Sequence, residues 1–135
     1  MLTQALRRFA LPLFALIGGC SEQYTFTYDV TIADEVEFAE GATLRMSEGT
    51  SADDPAGIEG IEDIEASLAS DERSVRDEGF ACCMFSNEVN LFAYIDLDDS
   101  GSWDEGEPWG ADPNNPVTID DDGYVSAITV APDET

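Results

Sequence analysis

The chain has 135 residues, of which 30 are acidic and only five are basic, and its formal net charge is −25 with no histidine. This length allows one domain rather than two. A surface this negative repels the phosphate backbone of nucleic acids, so we expect no nucleic-acid partner. Because histidine and lysine are both absent, most general-base and nucleophile schemes are missing, and we do not expect an enzyme.

The first 19 residues are typical of a cleaved secretory signal peptide. Two arginines precede a nearly continuous apolar run at 9–17, which is too short to cross a bilayer as a permanent helix. Residues 17–20, with the sequence Ile-Gly-Gly-Cys, resemble the bacterial lipobox, in which the cysteine becomes the first mature residue and carries lipid. The alternative is an ordinary cleaved signal with an incidental cysteine.

The lipobox resemblance implies lipid attachment at Cys20 and a short tether at 20–22. Several acyl chains together hold a protein stably on a membrane, whereas one does not. Ser21 follows the cysteine where an aspartate would signal retention in the inner membrane, so the resemblance implies an outer-membrane lipoprotein of a bacterial cell envelope, periplasmic or surface-facing. The expected partners are the membrane, through this anchor, and an unidentified envelope protein or glycan.

The mature part of the chain begins with strand patterns. Residues 24–32 alternate apolar and polar side chains, which predicts a half-buried strand. The alternation resumes at 36–38, and a Glu-Gly pair at 40–41 precedes a further short strand at 43–46. We therefore predict a hairpin there.

The middle of the chain is less regular. Residues 47–60 are rich in Gly, Ser, Asp and Pro and are predicted to form a loop. Between 61 and 76, apolar residues fall near helical spacing, with acidic residues first and arginines last, which favours a short helix or an irregular crossover. Residues 80–85 and 89–95 are predicted strands. The second of them is apolar on both faces and is expected to be central.

Cys82 and Cys83 are adjacent in the first of these two strands. One interpretation is that both are simply small apolar residues in an apolar run. The other is a strained vicinal disulfide, since an exported thiol pair tends to oxidise. A redox or metal-thiolate role ranks third, because the pair lacks Cys-x-x-Cys spacing and no histidine is available to assist it.

The stretch 96–107 has the spacing of a twelve-residue calcium loop. Oxygen-bearing side chains occupy loop positions 1, 3, 5, 9 and 12, position 6 is glycine, and position 7 contributes a backbone carbonyl. Gly101 permits the sharp turn, and Trp103 is expected to pack beneath the ion. The alternative is an acidic surface turn without a metal. The predicted Ca²⁺ ligands are Asp96, Asp98, Ser100, Ser102 through its carbonyl, Asp104 and Glu107.

The segment after the loop argues against an EF-hand. Pro108 follows at once and further prolines come soon after, so no regular helix is expected there. Residues 117–119 and 124–130 are predicted to form a last hairpin around an Asp-Asp-Asp-Gly turn. The aspartates of that turn either serve the turn and solubility, or Asp120 or Asp122 completes or duplicates the metal site.

About seven short strands separated by turn signals predict an all-β fold, an antiparallel β-sandwich, over 23–131, with a polar tail at 132–135. The apolar strand at 89–95, the acidic loop at 96–107 and Pro108 after it resemble small bacterial surface domains of the transthyretin-like or carboxypeptidase-regulatory-like type. The resemblance covers about residues 80–130. It implies a sandwich, usually non-catalytic, with these calcium ligands: Asp96, Asp98, Ser100, Asp104 and Glu107.

These patterns favour a lipid-anchored β-sandwich of the cell envelope that binds Ca²⁺ for stability and serves as a binding or scaffolding module. Two alternatives remain. A pair of carboxylates could hydrolyse glycosides, although so small a sandwich offers little cleft. The acidity could instead reflect adaptation to a saline habitat without specific metal binding, since salt screens such charge. A calcium sensor is not expected, because the strand and the proline that flank the loop leave no hinge.

Overall fold

The computed structural model of the protein describes residues 23–59, 64–82, 88–120 and 123–134, without the side chains at 23, 81 and 82. The predicted signal peptide, Cys20, Cys83 and the side chain of Cys82 therefore lie outside the described residues. Within the described part, no helix is long and apolar enough to cross a membrane. That part contains a 3₁₀ turn at Pro55–Gly57 and eight strands: β1 (Gln23–Ile32), β2 (Thr43–Gly49), β3 (Ile64–Ser67), β4 (Ser74–Cys82), β5 (Glu88–Asp96), β6 (Trp109–Ala111), β7 (Val117–Thr118) and β8 (Val125–Val130).

The strands form two sheets that pack as a β-sandwich, so the predicted all-β fold is confirmed. One sheet has the order β4-β1-β8, and the other has the order β3-β2-β5-β6 with β7 paired beside β5. The paired strands are antiparallel except for β1 and β8, which run parallel. The described residues thus hold eight strands rather than about seven, and one pairing departs from the antiparallel pattern.

Alternating apolar side chains fill the space between the two sheets. This period of two is the one that predicted β1 from the sequence. Each large apolar side chain buried in this way contributes about 1.5–3 kcal/mol relative to an exposed one. The core includes, from β1, Phe26, Tyr28, Val30 and Ile32, and from the other sheet Leu44, Met46, Leu91, Ala93 and Ile95.

Strand β5 is central in its sheet and buried on both faces, as its sequence predicts. Its inner face joins the core, and Phe92 and Tyr94 on its outer face are also fully buried. The ring of Trp109 on β6 lies against Phe92, with ring centroids 6.3 Å apart. Since both faces are packed, β5 is a firm support for its last residue, Asp96, which is also the first residue of the acidic loop.

The short helix predicted at 61–76 is absent from the described residues, and the alternative, an irregular crossover, is found only at 68–73, between strands of different sheets. β3 pairs with β2, and β4 begins at Ser74 after a turn. Ile64 and Leu68 lie four residues apart, which fits the period of a helix and equally that of a strand. Ala66 between them also packs against the core, as a strand requires. The free edge of β2 supplies backbone partners, and this pairing decides between the two patterns.

The hairpin predicted at 36–46 is also wrong, because residues 36–38 form no strand and β2 lies in a different sheet from the preceding β1. The connection between them contains the buried Val36, and Arg73 donates hydrogen bonds to the carbonyl oxygens of Ala33 and Val36 at 3.1 and 2.8 Å. The Arg73 guanidinium also lies over the Phe38 ring. The alternating apolar residues here are thus anchors of a loop rather than one face of a strand.

The last predicted hairpin fails for the same reason. β7 pairs with β5 and β8 pairs with β1, so the turn between them carries the chain from one sheet to the other. Gly123 has a φ of 77°, which is consistent with the Asp-Gly turn signal. Such a signal shows that the chain reverses, but it does not show which strands pair afterwards.

Candidate metal centre

The acidic loop joins β5 to β6 and is therefore the connection of a β-hairpin. The two strands pair Tyr94 with Trp109, and the amide of Ile95 donates to the carbonyl oxygen of Pro108 at 3.0 Å. The backbone is thus held on both sides of 96–107. The prediction that no regular helix follows Pro108 is confirmed, since β6 begins at Trp109.

Asp96 organises the first half of the loop. Its side chain is fully buried, and its carboxylate accepts the backbone N–H of Ser100 at Oδ1 (3.1 Å) and that of Gly101 at Oδ2 (2.9 Å). The φ angles of Asp99 and Gly101 are 54° and 81°, so the chain reverses at these positions. Glycine suits position 101 because residues with a side chain rarely adopt a positive φ angle. The predicted turn at Gly101 is therefore confirmed.

Glu107 returns from the far end of the loop to the same place. One carboxylate oxygen from each of Asp96, Asp98 and Glu107 lies within 4.8 Å of the other two. The Glu107 carboxylate accepts the backbone N–H of Leu97 at Oε2 and that of Asp104 at Oε1, both at 2.6 Å. These two hydrogen bonds fix the carboxylate, and three acidic groups from both ends of the loop converge.

The convergence of Asp96, Asp98 and Glu107 has an electrostatic consequence. Burial raises the pKa of Glu107, hydrogen bonds from two backbone N–H groups lower it, and the negative charges of Asp96 and Asp98 raise it again, so that the net change is upward. Like charges within about 4–6 Å of each other disfavour ionisation. A divalent cation between the carboxylates would remove that repulsion.

The other three predicted ligands, Ser100, Ser102 and Asp104, meet at the hydroxyl of Ser100. Its Oγ lies 2.9 Å from the carbonyl oxygen of Ser102 and 2.8 Å from Oδ2 of Asp104. The Ser100 backbone N–H lies 3.2 Å from an oxygen of Asp98, which links the two groups. The structure therefore brings three of the six predicted ligands together, Asp96, Asp98 and Glu107, and places Ser100, Ser102 and Asp104 beside this group.

The donor set determines which class of ion fits. Carboxylate, hydroxyl and backbone carbonyl oxygens are hard donors, which suit Ca²⁺ and Mg²⁺ rather than metals that prefer thiolate or imidazole ligands. Asp120 is described and lies outside the carboxylate group, so it does not complete this site. Asp122, the other predicted contributor, lies outside the described residues.

Asp133 is a residue near the loop that the sequence does not indicate. It falls in the predicted polar tail, yet its carboxylate accepts the backbone N–H of Gly106 at 2.9 Å and the indole N–H of Trp109 at 3.2 Å. The indole N–H of Trp103 donates to the carbonyl oxygen of Glu107 at 3.0 Å. The contacts of Asp133 and of Trp103 together support the backbone on either side of Glu107. No pattern in the sequence points to the contact made by Asp133.

Arg45 is a second residue that the sequence does not single out. It lies on β2, and its Nε donates to Oδ2 of Asp96 at 2.8 Å while its Nη1 donates to Glu65. Burial lowers the pKa of Arg45, but its hydrogen bonds and its attraction to Asp96 and Glu65 outweigh burial and raise it. Alternation with the apolar Leu44 and Met46 places Arg45 on the outer face of the sheet, but this pattern does not indicate its contact with Asp96.

Comparisons with protein-family models, with curated proteins and with solved structures found no match to this chain. The resemblances to lipoproteins and to transthyretin-like domains therefore stay predictions. Any functional conclusion depends on the residues of the loop and on the pattern at the start of the chain.

Proposed function

We propose that residues 96–107 bind Ca²⁺ and that the bound ion stabilises an extracytoplasmic β-sandwich. The observation that carries this proposal is the convergence of Asp96, Asp98 and Glu107 within 4.8 Å. Two of these carboxylates are buried, with Asp96 and Glu107 exposed by 3% and 5%. Like charges this close repel each other, and a divalent cation among the three carboxylates would offset that repulsion.

Calcium is favoured over magnesium by the kind of site the loop offers. Ca²⁺ takes six to eight oxygen ligands in a flexible arrangement, whereas Mg²⁺ demands an octahedron and keeps several waters. The loop offers protein oxygens from six positions, including a backbone carbonyl. In this proposal Asp96, Asp98 and Glu107 hold the ion, and Ser100, Ser102 and Asp104 complete its shell.

The proposed role of the ion is structural rather than regulatory. The backbone on both sides of the loop pairs within one hairpin, through Ile95 with Pro108 and Tyr94 with Trp109. A sensor needs two arrangements of comparable free energy, and a loop held at both ends by a packed sheet offers no obvious second one. A free Ca²⁺ concentration of about one hundred times the Kd would raise the free energy of unfolding by about 2.7 kcal/mol.

A pair of matched variants tests the site. We expect Ca²⁺, added to purified protein after treatment with chelator in low salt, to raise Tm and change tryptophan emission, with Mg²⁺ acting more weakly. Glu107→Gln should weaken Ca²⁺ binding by roughly tenfold or more, because it removes the charge of a converging carboxylate. Glu105→Gln makes the same charge change on an exposed neighbour and should bind as the parent does. Calorimetry gives both values of Kd.

Asp98→Asn provides a second test, because Asp98 is exposed and its replacement leaves the buried hydrogen bonds of the loop intact. We expect it to weaken Ca²⁺ binding as well. The metal proposal fails if the parent protein shows no response to Ca²⁺, or if Glu107→Gln and Glu105→Gln respond equally.

We propose in addition that the domain is tethered to a bacterial outer membrane by lipid on Cys20, where it serves as a binding or scaffolding module for an envelope protein or glycan. The support is the order of features at the start of the chain: two arginines, an apolar run, two glycines and a cysteine. A tether at 20–22 leads directly into β1, which begins at Gln23.

Fractionation of cells tests the anchor. Cys20→Ser should move the protein from the membrane fraction to the soluble fraction, because the acyl chains can no longer be attached. Ser21→Asp keeps the cysteine and, by the lipobox resemblance, should shift the protein from the outer to the inner membrane. Retention of Cys20→Ser in the membrane fraction would count against lipidation.

A further inference from the structure

We propose that Arg45 is a built-in counter-ion that lets the acidic loop fold without a metal and that lowers the affinity of the loop for Ca²⁺. This inference rests on the proposed Ca²⁺ binding by the loop. A residue on a neighbouring strand, outside the loop, would then control how strongly the stability of the protein depends on Ca²⁺.

The position of Arg45 follows from strand register. β2 runs antiparallel between β3 and β5, with Arg45 opposite Glu65 on one side and Tyr94 on the other. From the outer face of the sheet its guanidinium reaches Asp96 at 2.8 Å through Nε, Glu65 through Nη1 and Asp99 at 3.8 Å through Nη2. The three carboxylates belong to three separate elements, namely β5, β3 and the loop.

The contact with Asp96 is the important one. The side chain of Asp96 is fully buried and that of Arg45 is only 11% exposed, so this ion pair is shielded from solvent. Glu65 and Asp99 have side chains exposed by 60% and 85%, and water screens their contacts. A buried carboxylate without a compensating charge is strongly unfavourable. Arg45 therefore supplies the compensating charge beside Asp96 and holds this carboxylate in place when no metal is bound.

Arg45 leaves room for an ion on the same carboxylate. Oδ2 of Asp96 accepts one hydrogen bond from Arg45 Nε–H and another from the backbone N–H of Gly101. These two bonds occupy both acceptor positions of that oxygen. Oδ1 accepts only the N–H of Ser100 among the described residues, so one acceptor position of Oδ1 is left for a cation. The arginine and the ion thus share Asp96 through different oxygens, and their positive charges repel each other across it.

The other arginines of the described residues have different contacts. Arg73 binds the carbonyl oxygens of Ala33 and Val36, and Arg76 is exposed and lies 4.0 Å from Asp29. Within the described part of the chain, Arg45 is the basic side chain whose ion pairs reach the loop. Removing its charge should therefore have an effect that removing the charge of Arg76 does not.

A counter-ion and a purely structural residue predict opposite changes in Ca²⁺ affinity. If Arg45 supplies charge, a bound Ca²⁺ takes over that role in a variant without it, so the variant binds the ion more tightly. If Arg45 only holds the loop in shape, its removal weakens binding. Coupling between two distinct binding sites commonly changes affinity by about 5–150-fold, which sets the scale for the effect of Arg45.

The experiment compares Arg45→Gln, Arg45→Lys and Arg76→Gln by thermal unfolding in chelator and in saturating Ca²⁺, with Kd measured by calorimetry. For Arg45→Gln we expect a lower Tm in chelator, a Tm much closer to the parent's in Ca²⁺, and a Kd roughly tenfold lower. Arg45→Lys keeps the charge and should keep the Kd of the parent. Arg76→Gln makes the same change in net charge and should alter Kd little.

Every outcome is decisive. If Arg45→Gln binds Ca²⁺ more tightly than the parent, after correction for the fraction of the variant that is unfolded in chelator, the proposal is supported. If it stays unfolded in saturating Ca²⁺, or if it folds and binds Ca²⁺ equally or more weakly than the parent, the proposal is wrong and the Ca²⁺ site itself stands. If the parent protein does not bind Ca²⁺, the proposed function fails, which is a separate result.

Discussion

Replacing Gly110 by alanine is expected to lower the free energy of unfolding by about 3 kcal/mol or more, at the upper end of what overpacking costs. A Cβ atom on Gly110 would lie 2.0 Å from the carbonyl oxygen of Thr129 and 3.0 Å from Cγ2 of Ile128. The obstacle is the backbone of β8 in the opposite sheet, so no side-chain rotation relieves it. Denaturation in urea, followed to obtain both midpoint and slope, measures the loss.

Strand β6 cannot move away to relieve the clash, because it is held on two sides. Gly110 faces Ala93 of β5, and Trp109 exchanges two backbone hydrogen bonds with Ala131, at 3.0 and 3.1 Å. Gly57→Ala is the matched control: its Cβ would meet Oγ1 of Thr50 at 2.7 Å, which is an exposed side chain that can rotate. We expect a loss of less than about 1 kcal/mol there. Equal losses in the two variants would contradict the close contact of the sheets.

Asp112→Ala is expected to cause the second large loss, again about 3 kcal/mol. Asp112 is 2% exposed, and its Oδ2 accepts the hydroxyls of Tyr124 and Ser126, both at 2.7 Å, while its Oδ1 accepts the N–H of Asn114 at 2.8 Å. Hydrogen bonds to charged groups contribute about 1.5–3 kcal/mol each, and removing the acceptor leaves a buried hydroxyl unpaired. Asp112 follows β6 and ties it to the opposite sheet.

A double-mutant cycle separates this network from a general packing effect. Ser126→Ala removes the fully buried hydroxyl that Asp112→Ala would leave unpaired. The double variant should therefore lose less stability than the sum of the two single variants. A sum that holds to within about 0.3–0.5 kcal/mol would show that the two side chains act independently.

The same network predicts a pH dependence at the alkaline end. Burial raises the pKa of Tyr124 and its hydrogen bond to Asp112 raises it further, while the side chain of Asn114 lowers it. The contribution of a raised pKa to stability is full below the unfolded value of about 10 and is lost as pH rises through the folded value. In Asp112→Ala the phenolate should form at lower pH, as ultraviolet absorbance would show, and the alkaline loss should be smaller.

Some of the strands could be predicted from sequence, because local alternation records which side chains face a core, but β3 lies in the segment where a helix or irregular crossover is expected. β1 and β5 are recognisable from their own residues, since one alternates over its length and the other is apolar on both faces. The sequence does not show which strands pair with each other. The turn signals before β2 and β8 are genuine, yet both strands enter the opposite sheet, because a reversal of the chain carries no information about the edge that receives the next strand.

The candidate site divides in the same way. The spacing at 96–107 predicts the reversal at Gly101 and brings Asp96, Asp98 and Glu107 together, because a twelve-residue loop closed by a glycine turn is a local structure. Arg45 and Asp133 reach the loop from sequence separations of 51 and 27 residues. Such contacts depend on the packing of the whole sandwich, and no local pattern contains them.

The frame around the loop changes what a metal could do there. In an EF-hand, two helices flank the loop and can change their angle on binding. Here β5 and β6 flank it and pair with each other within one sheet, so a bound ion would stabilise a hairpin that already exists. Arg45 on the adjacent strand would then determine how stable that hairpin is when Ca²⁺ is scarce.

The most direct test of calcium binding is a crystal structure of the protein grown with Ca²⁺, with the ion located by its anomalous scattering. We expect one ion in the loop at about 2.3–2.6 Å from oxygens of Asp96, Asp98 and Glu107, with the carbonyl oxygen of Ser102 also in its shell. The β5–β6 hairpin should keep its pairing. A loop without the ion at saturating Ca²⁺, or an ion bound only elsewhere on the acidic surface, would contradict the proposed function.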